Sequence, residues 1–166
     1  NSVVLKNDSI KISWTPYKLN RLAGYRIYYS SLNDDYWQLA ADETMVKEDE
    51  QEISFASTME FLQPTNGKNL QFYITAVDSL GNESDKSDTY STVFHDKSAP
   101  KLLIVDGFDR YGGNGSWSKP NHSFNIIYSQ AIQRALWYFN ISSASNETVI
   151  NEEVNLKDYD MVIWFL

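Results

Sequence analysis

"LQFYITAVDSLGNES", residues 70–84, alternates by twos and then breaks into a turn. Counted in that period, Leu70, Phe72, Ile74 and Ala76 share one side of a strand, and Gly81 with its Asp, Asn and Ser neighbours supplies the turn. The same device recurs upstream. "SIKISW" (9–14) places Ile10, Ile12 and Trp14 on one side, and "GYRIYYS" (24–30) does likewise with Tyr25, Ile27 and Tyr29, leaving Arg26 and Tyr28 facing out. Three such strands share one core, so residues 1 to about 94 are expected to form an antiparallel β-sandwich. Trp14, Tyr25 and Tyr29 are read as core residues on this spacing, against a row of sugar-stacking rings. In "DDYWQLA", Tyr36 and Trp37 lie on opposite faces of any strand, so one of the two is expected in solvent.

The order and spacing of "ISWTP", "GYRIYYS", "LQP", "YITAVDSLGNES" and "STVF" resemble a fibronectin type III domain of the bacterial extracellular kind. The resemblance covers about 90 residues, and "AVDSLGNES" is its most specific piece. One position departs from the pattern: Leu70 stands where the family carries its corner tyrosine, whose hydroxyl bonds to backbone. Adhesion of the integrin type is not expected, because "SLGNESD" contains no Arg-Gly-Asp.

Residues 95–100, "HDKSAP", lose the apolar pattern and end in proline, which suits an extended linker with a solvated His95. Beyond it the period changes. "KLLIV" (101–105) is a continuous apolar run typical of a parallel strand buried on both faces, followed by a loop with four glycines. In "SFNIIYSQAIQRALWYF" (123–139) the residues Phe124, Ile127, Tyr128, Ala131, Ile132, Ala135, Leu136 and Phe139 recur at helical steps, predicting an amphipathic helix with that stripe inward. "NISSASNETVI" then gives a short second strand and "DYDMVIWFL" a buried third. The expected fold is therefore two domains: the sandwich over 1–94, a linker over 95–100, and over 101–166 the first part of an α/β doubly wound, flavodoxin-like domain. "VDGFDR" and "DYDMVIW" resemble the flavodoxin-like or glutamine-amidotransferase-like region found beside fibronectin type III domains in large secreted bacterial proteins, some labelled xanthan lyase-like or N-acetylmuramoyl-alanine amidase-like. In the amidotransferase-like relatives the nucleophile follows a later strand, so the resemblance carries no catalytic residue onto this chain.

The glycine loop leaves a strand and enters a helix N-terminus, a position that favours a ligand. Its chemistry does not favour nucleotides: "GGNGSW" lacks the third glycine of the dinucleotide fingerprint, and no Gly-Lys-Ser or Gly-Lys-Thr is present. Asp106, Asp109 and Arg110 suit sugar hydroxyls or a weakly held hard cation, although Asp109 and Arg110 equally suit a pair that pins the loop. Asn114, Trp117 and His122 complete the candidate ligand-binding set.

The chain of 166 residues carries 14 Lys and Arg against 22 Asp and Glu, a formal charge of -8, which argues against nucleic acid. With no cysteine and two histidines, neither a thiolate nucleophile nor a zinc site is expected, and no cofactor is implied. No Gly-x-Ser-x-Gly elbow and no credible triad occur. No apolar run reaches a membrane span of roughly 20 residues. Both ends, "NSVVL" and "MVIWFL", read as cut, and the exposed sheet of 101–166 is expected to pair with another copy or with other domains of a parent protein. These readings favour a non-catalytic binding or scaffolding portion of a secreted or cell-surface bacterial protein that meets a glycan or cell-wall polymer. The alternative is part of a polysaccharide- or peptidoglycan-degrading hydrolase or lyase whose catalytic residues lie elsewhere.

Overall fold

The computed structural model describes residues 1–6, 9–18, 20–31, 36–56, 59, 67–108, 114–115, 119–135 and 137–166. Strands β1 (Ser2–Lys6), β2 (Ser9–Ser13) and β5 (Glu52–Ala56) form one antiparallel sheet in the order β1-β2-β5. Strands β3 (Leu22–Ser31), β4 (Gln38–Ala41), β6 (Lys68–Asp78) and β7 (Tyr90–Phe94) form the other, in the order β4-β3-β6-β7. The two curl over a common core as a fibronectin type III-like β-sandwich. The period-two positions fill it: Ile10, Ile12, Trp14, Tyr25, Ile27, Tyr29, Leu70, Phe72, Ile74 and Ala76 are all buried together. Trp14 packs on Tyr25 with ring centroids 5.2 Å apart, so these rings are core and not a sugar-stacking row. With leucine at position 70, a hydroxyl-to-backbone bond comes from elsewhere: the Tyr25 hydroxyl accepts the Tyr17 N–H at 3.1 Å.

Beyond β7 the chain adds β8 (Lys101–Asp106), α1 (Phe124–Arg134), β9 (Asn140–Ser145), α2 (Asn146–Ile150), a 3-10 turn at Leu156–Asp158, and β10 (Met161–Phe165). β8 lies between β9 and β10, parallel to both, and Leu102, Leu103, Ile104 and Val105 are fully buried. The expected doubly wound, flavodoxin-like domain does not form. The chain is mostly strand, with two α-helices among the described residues, and α2 has only five residues, too few to cover a sheet face. The parallel strands instead continue the sandwich: β9 pairs antiparallel with β7 at Val93↔Ile141 and with β1 at Ser2↔Ala144 and Val3↔Ser143.

The composition of β9 explains this join. β7 and β1 diverge along one edge of β9, and serine hydroxyls stand in for the ladder bonds that the divergence leaves open. Ser143 Oγ accepts the Ser91 N–H at 2.9 Å and donates to the Ser91 carbonyl at 2.6 Å, while Ser142 Oγ accepts the Leu5 N–H at 3.0 Å. Buried backbone groups need such partners. Read by apolar periodicity alone, "ISSAS" is a weak strand; its hydroxyls make it a seam.

The helix also differs from expectation. It ends at Arg134, and its buried residues are Asn125, Ser129 and Ile132, while Ile127 of the expected apolar stripe is 61% exposed. The cause is the surface it meets. Ser91 Oγ lies within hydrogen-bond distance of Asn125 Oδ1 (3.1 Å) and Ser129 Oγ (2.9 Å), its one proton serving either, and the Asn69 amide donates to Ser129 Oγ and Gln133 Oε1, so α1 docks on β6 and β7 through a polar layer. Ile132 closes a small apolar core with Val93, Leu102, Ile104 and Ile141. β10 is likewise not buried: among the described residues it pairs only with β8, and Trp164 is 42% exposed.

Residues 95–100 make a pinned turn. The Asp96 carboxylate accepts Ser98 N–H, Ser98 Oγ, Ala99 N–H and the Tyr138 hydroxyl. The bonds from Ser98 and Tyr138 hold its pKa down at about 2. Asn140 of β9 bridges the turn, donating to the Asp96 carbonyl and accepting the His95 N–H. His95 is half-buried against Tyr138, with ring centroids 4.3 Å apart, and its burial lowers its pKa; it is not a solvated linker residue.

Candidate functional site

The carboxyl ends of β8 and β9 open onto a polar groove. Asp106 closes β8, nearly buried, and its Oδ1 accepts the Phe108 N–H at 3.0 Å, a turn bond that aims the chain across the sheet end. Phe108 stands edge-on to His122 and Phe124 (5.1 and 4.9 Å between centroids), and those two rings stack at 4.9 Å. His122 is fastened to the sandwich. Its backbone N–H donates to Asp88 Oδ1 at 2.5 Å, its carbonyl accepts the Thr89 N–H at 2.9 Å, and its Nδ1 lies 3.8 Å from Asp88 Oδ1. Two predicted residues, Asp106 and His122, thus meet through Phe108. Asn114 is exposed in a bend, and Asp109, Arg110 and Trp117 lie outside the described residues.

A cavity of about 170 Å³ lies beside Asp106, walled by Asp88, Tyr90, Phe108 and Ser145. It shares Asn1, Thr15 and Glu147 with a larger cleft of about 490 Å³, which runs on past Lys11, Gln51, Glu52, Asn151 and Glu153. The groove therefore crosses from the parallel strands onto β2 and β5. Its far wall is built by a compact turn after α2: the Thr148 carbonyl accepts the N–H groups of Glu153 (3.0 Å) and Val154 (3.2 Å), with Glu152 at φ 60°. The near wall is held by Asn1, whose Oδ1 accepts the Thr15 N–H at 3.3 Å and whose carbonyl accepts the Ser145 N–H at 2.8 Å.

Charge decides what such a groove admits. Asp88, Asp106, Glu52, Glu147 and Glu153 line it against Lys11, which pairs with Glu52 at 2.5 Å. A phosphate brought within about 6 Å of one carboxylate meets about 3 kcal/mol of repulsion at an effective dielectric of about 20, before screening by salt. Hydroxyl-rich neutral molecules meet no such penalty and find acceptors, amides and hydroxyls on both walls. Among the described residues no three His, Asp or Glu side chains gather to hold a metal ion. None of the described helices is long and apolar enough to cross a membrane.

On the outer face of the β4-β3-β6-β7 sheet the outward residues form a second polar and aromatic area. Tyr28 and Tyr73 stack at 4.9 Å, Trp37 tilts onto Tyr73 at 4.6 Å, and Lys86 Nζ sits 5.7 Å from the Tyr73 ring centre. Tyr36 is the exposed member of its pair, at 69%. Arg26 pairs with Glu43 (2.6 and 2.8 Å) and with Glu83, which also receives Thr75 Oγ1 at 2.8 Å and the Tyr28 hydroxyl. The Arg26 bonds lower the pKa of Glu43. Burial alone raises that of Glu83, but the bonds from Thr75, Arg26 and Tyr28 outweigh it and the net direction is down. Arg26 and Tyr28 face out, as the alternation requires.

Of the residues named from the sequence, Asp106 lines this groove and His122 packs behind it on Phe108; Thr15, Gln51, Glu147 and Asn151 also line it and were not named from the sequence. Those residues converge only because β9 pairs with β1, and no local pattern announces that pairing.

No family model matches the chain, and no curated protein matches it. Among solved structures, the FN1–FN3 domains of chicken CNTN1 are similar at 18% identity over 58% of this chain and 30% of that one, with a TM-score of 0.46. Pectate lyase PelI from Erwinia chrysanthemi, solved in complex with tetragalacturonic acid, is similar at 17% identity over 69% of this chain and 37% of that one, with a TM-score of 0.43. The chain thus spans about a third of the length of these structures.

Proposed function

We propose that this chain is a non-catalytic, glycan-binding or scaffolding portion of a secreted or cell-envelope bacterial protein, and that it holds a neutral saccharide in the groove at the carboxyl ends of β8 and β9. The observation that supports this reading is the groove itself: two adjoining cavities of about 170 and 490 Å³ sharing Asn1, Thr15 and Glu147, acidic and rich in amides and hydroxyls. That lining suits hydroxyl recognition and opposes phosphate. Residues 1–94 and 101–166 act as one binding unit on this account, because each supplies a wall. Asp88 and His122 are not read as an acid–base pair, since His122 is enclosed by Phe108 and Phe124 and its backbone is already tied to Asp88. Calorimetric titration with ATP, NAD and neutral cell-wall oligosaccharides tests the reading. Heat with an oligosaccharide that is lost in Asn151→Ala supports it; tight nucleotide binding, or no oligosaccharide binding at all, sinks it.

Self-association belongs to the same proposal. Among the described residues β10 has a strand partner on one edge only and a face carrying Val162 and Trp164, which suits pairing with another copy or with other domains of a parent chain.

A further inference from the structure

The dipeptide Asn-Gly occurs at 66–67 and at 114–115, and Asp-Gly at 106–107. In each, a side-chain carbonyl carbon stands one residue before a glycine nitrogen, and glycine, with no Cβ in the way, lets that nitrogen fold back onto the carbon. An intramolecular attack of this kind needs an amide that is free to turn and to give up its proton. The fold treats the three sites differently.

At 67 the nitrogen is tied. The Gly67 N–H donates to the Phe94 carbonyl at 2.9 Å, beside the Lys68↔Phe94 pair that begins the β6–β7 ladder, and the Gly67 carbonyl accepts Gln133 Nε2 at 2.8 Å. The His95 ring closes over it, 3.0 Å from where a Cβ would stand. Asn66 lies outside the described residues; the nitrogen that would attack it is placed. At 107 the N–H donates to the Phe165 carbonyl at 2.9 Å, beside the Asp106↔Phe165 pair that ends the β8–β10 ladder, and Asp106 is nearly buried with its Oδ1 accepting the Phe108 N–H. Either nitrogen reacts only after a strand end opens. Asn114 stands apart: it is exposed in a bend, and among the described residues neither its side chain nor the Gly115 N–H has a hydrogen-bond partner.

We propose that Asn114 is a site of spontaneous deamidation, and that the strand-end bonds protect 66–67 and 106–107 from the same chemistry. The Gly115 amide nitrogen loses its proton to solvent base and attacks Cγ of Asn114. A C–N bond forms, the side-chain nitrogen leaves as ammonia, and a cyclic imide remains. Water opens the imide at either carbonyl, giving aspartate or its β-linked isomer. One water enters and one ammonia leaves, with no oxidant, reductant or other reagent. The product adds a negative charge to a chain already at -8, on the loop that follows β8. The proposal stands whatever the groove binds.

The test is to hold the whole folded chain in mildly alkaline and in mildly acidic buffer and to follow it by isoelectric focusing and peptide mass mapping. The peptide containing 114–115 should gain the mass difference of hydroxyl for amine, split into two isomers, and convert faster in the alkaline buffer. Conversion at 66–67 should be at least about tenfold slower in the folded chain, because the β6–β7 end must open first, and should catch up in urea. Asn114→Gln, at an exposed position, should remove the acidic species. Three results overturn the proposal: conversion at 66–67 as fast as at 114–115 in the folded chain, no conversion at 114–115 over the time in which the urea-unfolded chain converts, or acidic species that persist in Asn114→Gln.

Discussion

Ser143→Ala probes the seam that joins the parallel strands to the sandwich. The Ser143 hydroxyl is fully buried and serves both backbone groups of Ser91, accepting its N–H at 2.9 Å and donating to its carbonyl at 2.6 Å. Its removal strands a buried donor and a buried acceptor, each costing about 1 to 3 kcal/mol. Some of that is recovered because the hydroxyl itself no longer has to be desolvated, so the expected loss is about 2 to 4 kcal/mol. With a urea slope of about 2 kcal/mol/M, the unfolding midpoint should fall by about 1 to 2 M. Ser142→Ala is the internal comparison: it strands the Leu5 N–H and leaves Tyr159 free to find water, so it should cost roughly half as much, about 1 to 2 kcal/mol. Urea unfolding followed by tryptophan fluorescence reads both. A Ser143→Ala loss below about 0.5 kcal/mol, the range of an ordinary surface substitution, or a smaller loss than in Ser142→Ala, refutes the seam argument.

Three further outcomes are expected. Glu43 and Glu83 titrate below the ordinary glutamate value of 4.5 because Arg26 and its neighbours bind their charged forms; their contribution is complete above pH 4.5 and disappears as pH falls through the lowered folded values. Stability measured from pH 6 down to 3 should therefore drop, and Arg26→Met should flatten that drop. In limited proteolysis the turn at 95–100 should resist cleavage in the parent chain, while Asn140→Ala, which frees the Asp96 carbonyl and His95 N–H, should open a cut near Ser98 to Pro100; rapid cutting of the parent would mean two separable domains. Light scattering should show concentration-dependent association that Trp164→Lys reduces, and a strictly monomeric parent would rule out pairing through β10.

The sandwich was legible in the sequence because apolar and polar side chains alternate along its strands. Ile10 and Ile12 flank Lys11, Tyr25 and Ile27 flank Arg26, and Phe72 and Ile74 stand between Gln71, Tyr73 and Thr75, so period two follows directly even where α1 covers the outer face of β6 and β7. The rest obeyed a different rule. Val93, Leu102 and Ile141 bury apolar surface against Ile132 of α1, but the rest of that docking face is Asn125 and Ser129, so Ile127 and Ala131 of the expected apolar stripe stay exposed. Hydroxyl-for-ladder substitution at Ser142 and Ser143 leaves no hydrophobic signal. A reading by apolar period therefore saw a doubly wound half-domain where strands join an existing sheet. Asp106 was placed at the strand end from its position after an apolar run, and the structure sets it beside the groove. Glu147 and Asn151 could not be found without the β1–β9 pairing.

The groove is tested most directly by mapping where a neutral cell-wall oligosaccharide binds, using amide and indole chemical shifts on the whole chain. The account predicts shifts at Thr15, Gln51, Glu147 and Asn151, saturating together and abolished by Asn151→Ala without loss of folding. Shifts gathered instead at Tyr28, Trp37 and Tyr73 on the outer sheet face, or none at any concentration tested, would contradict it.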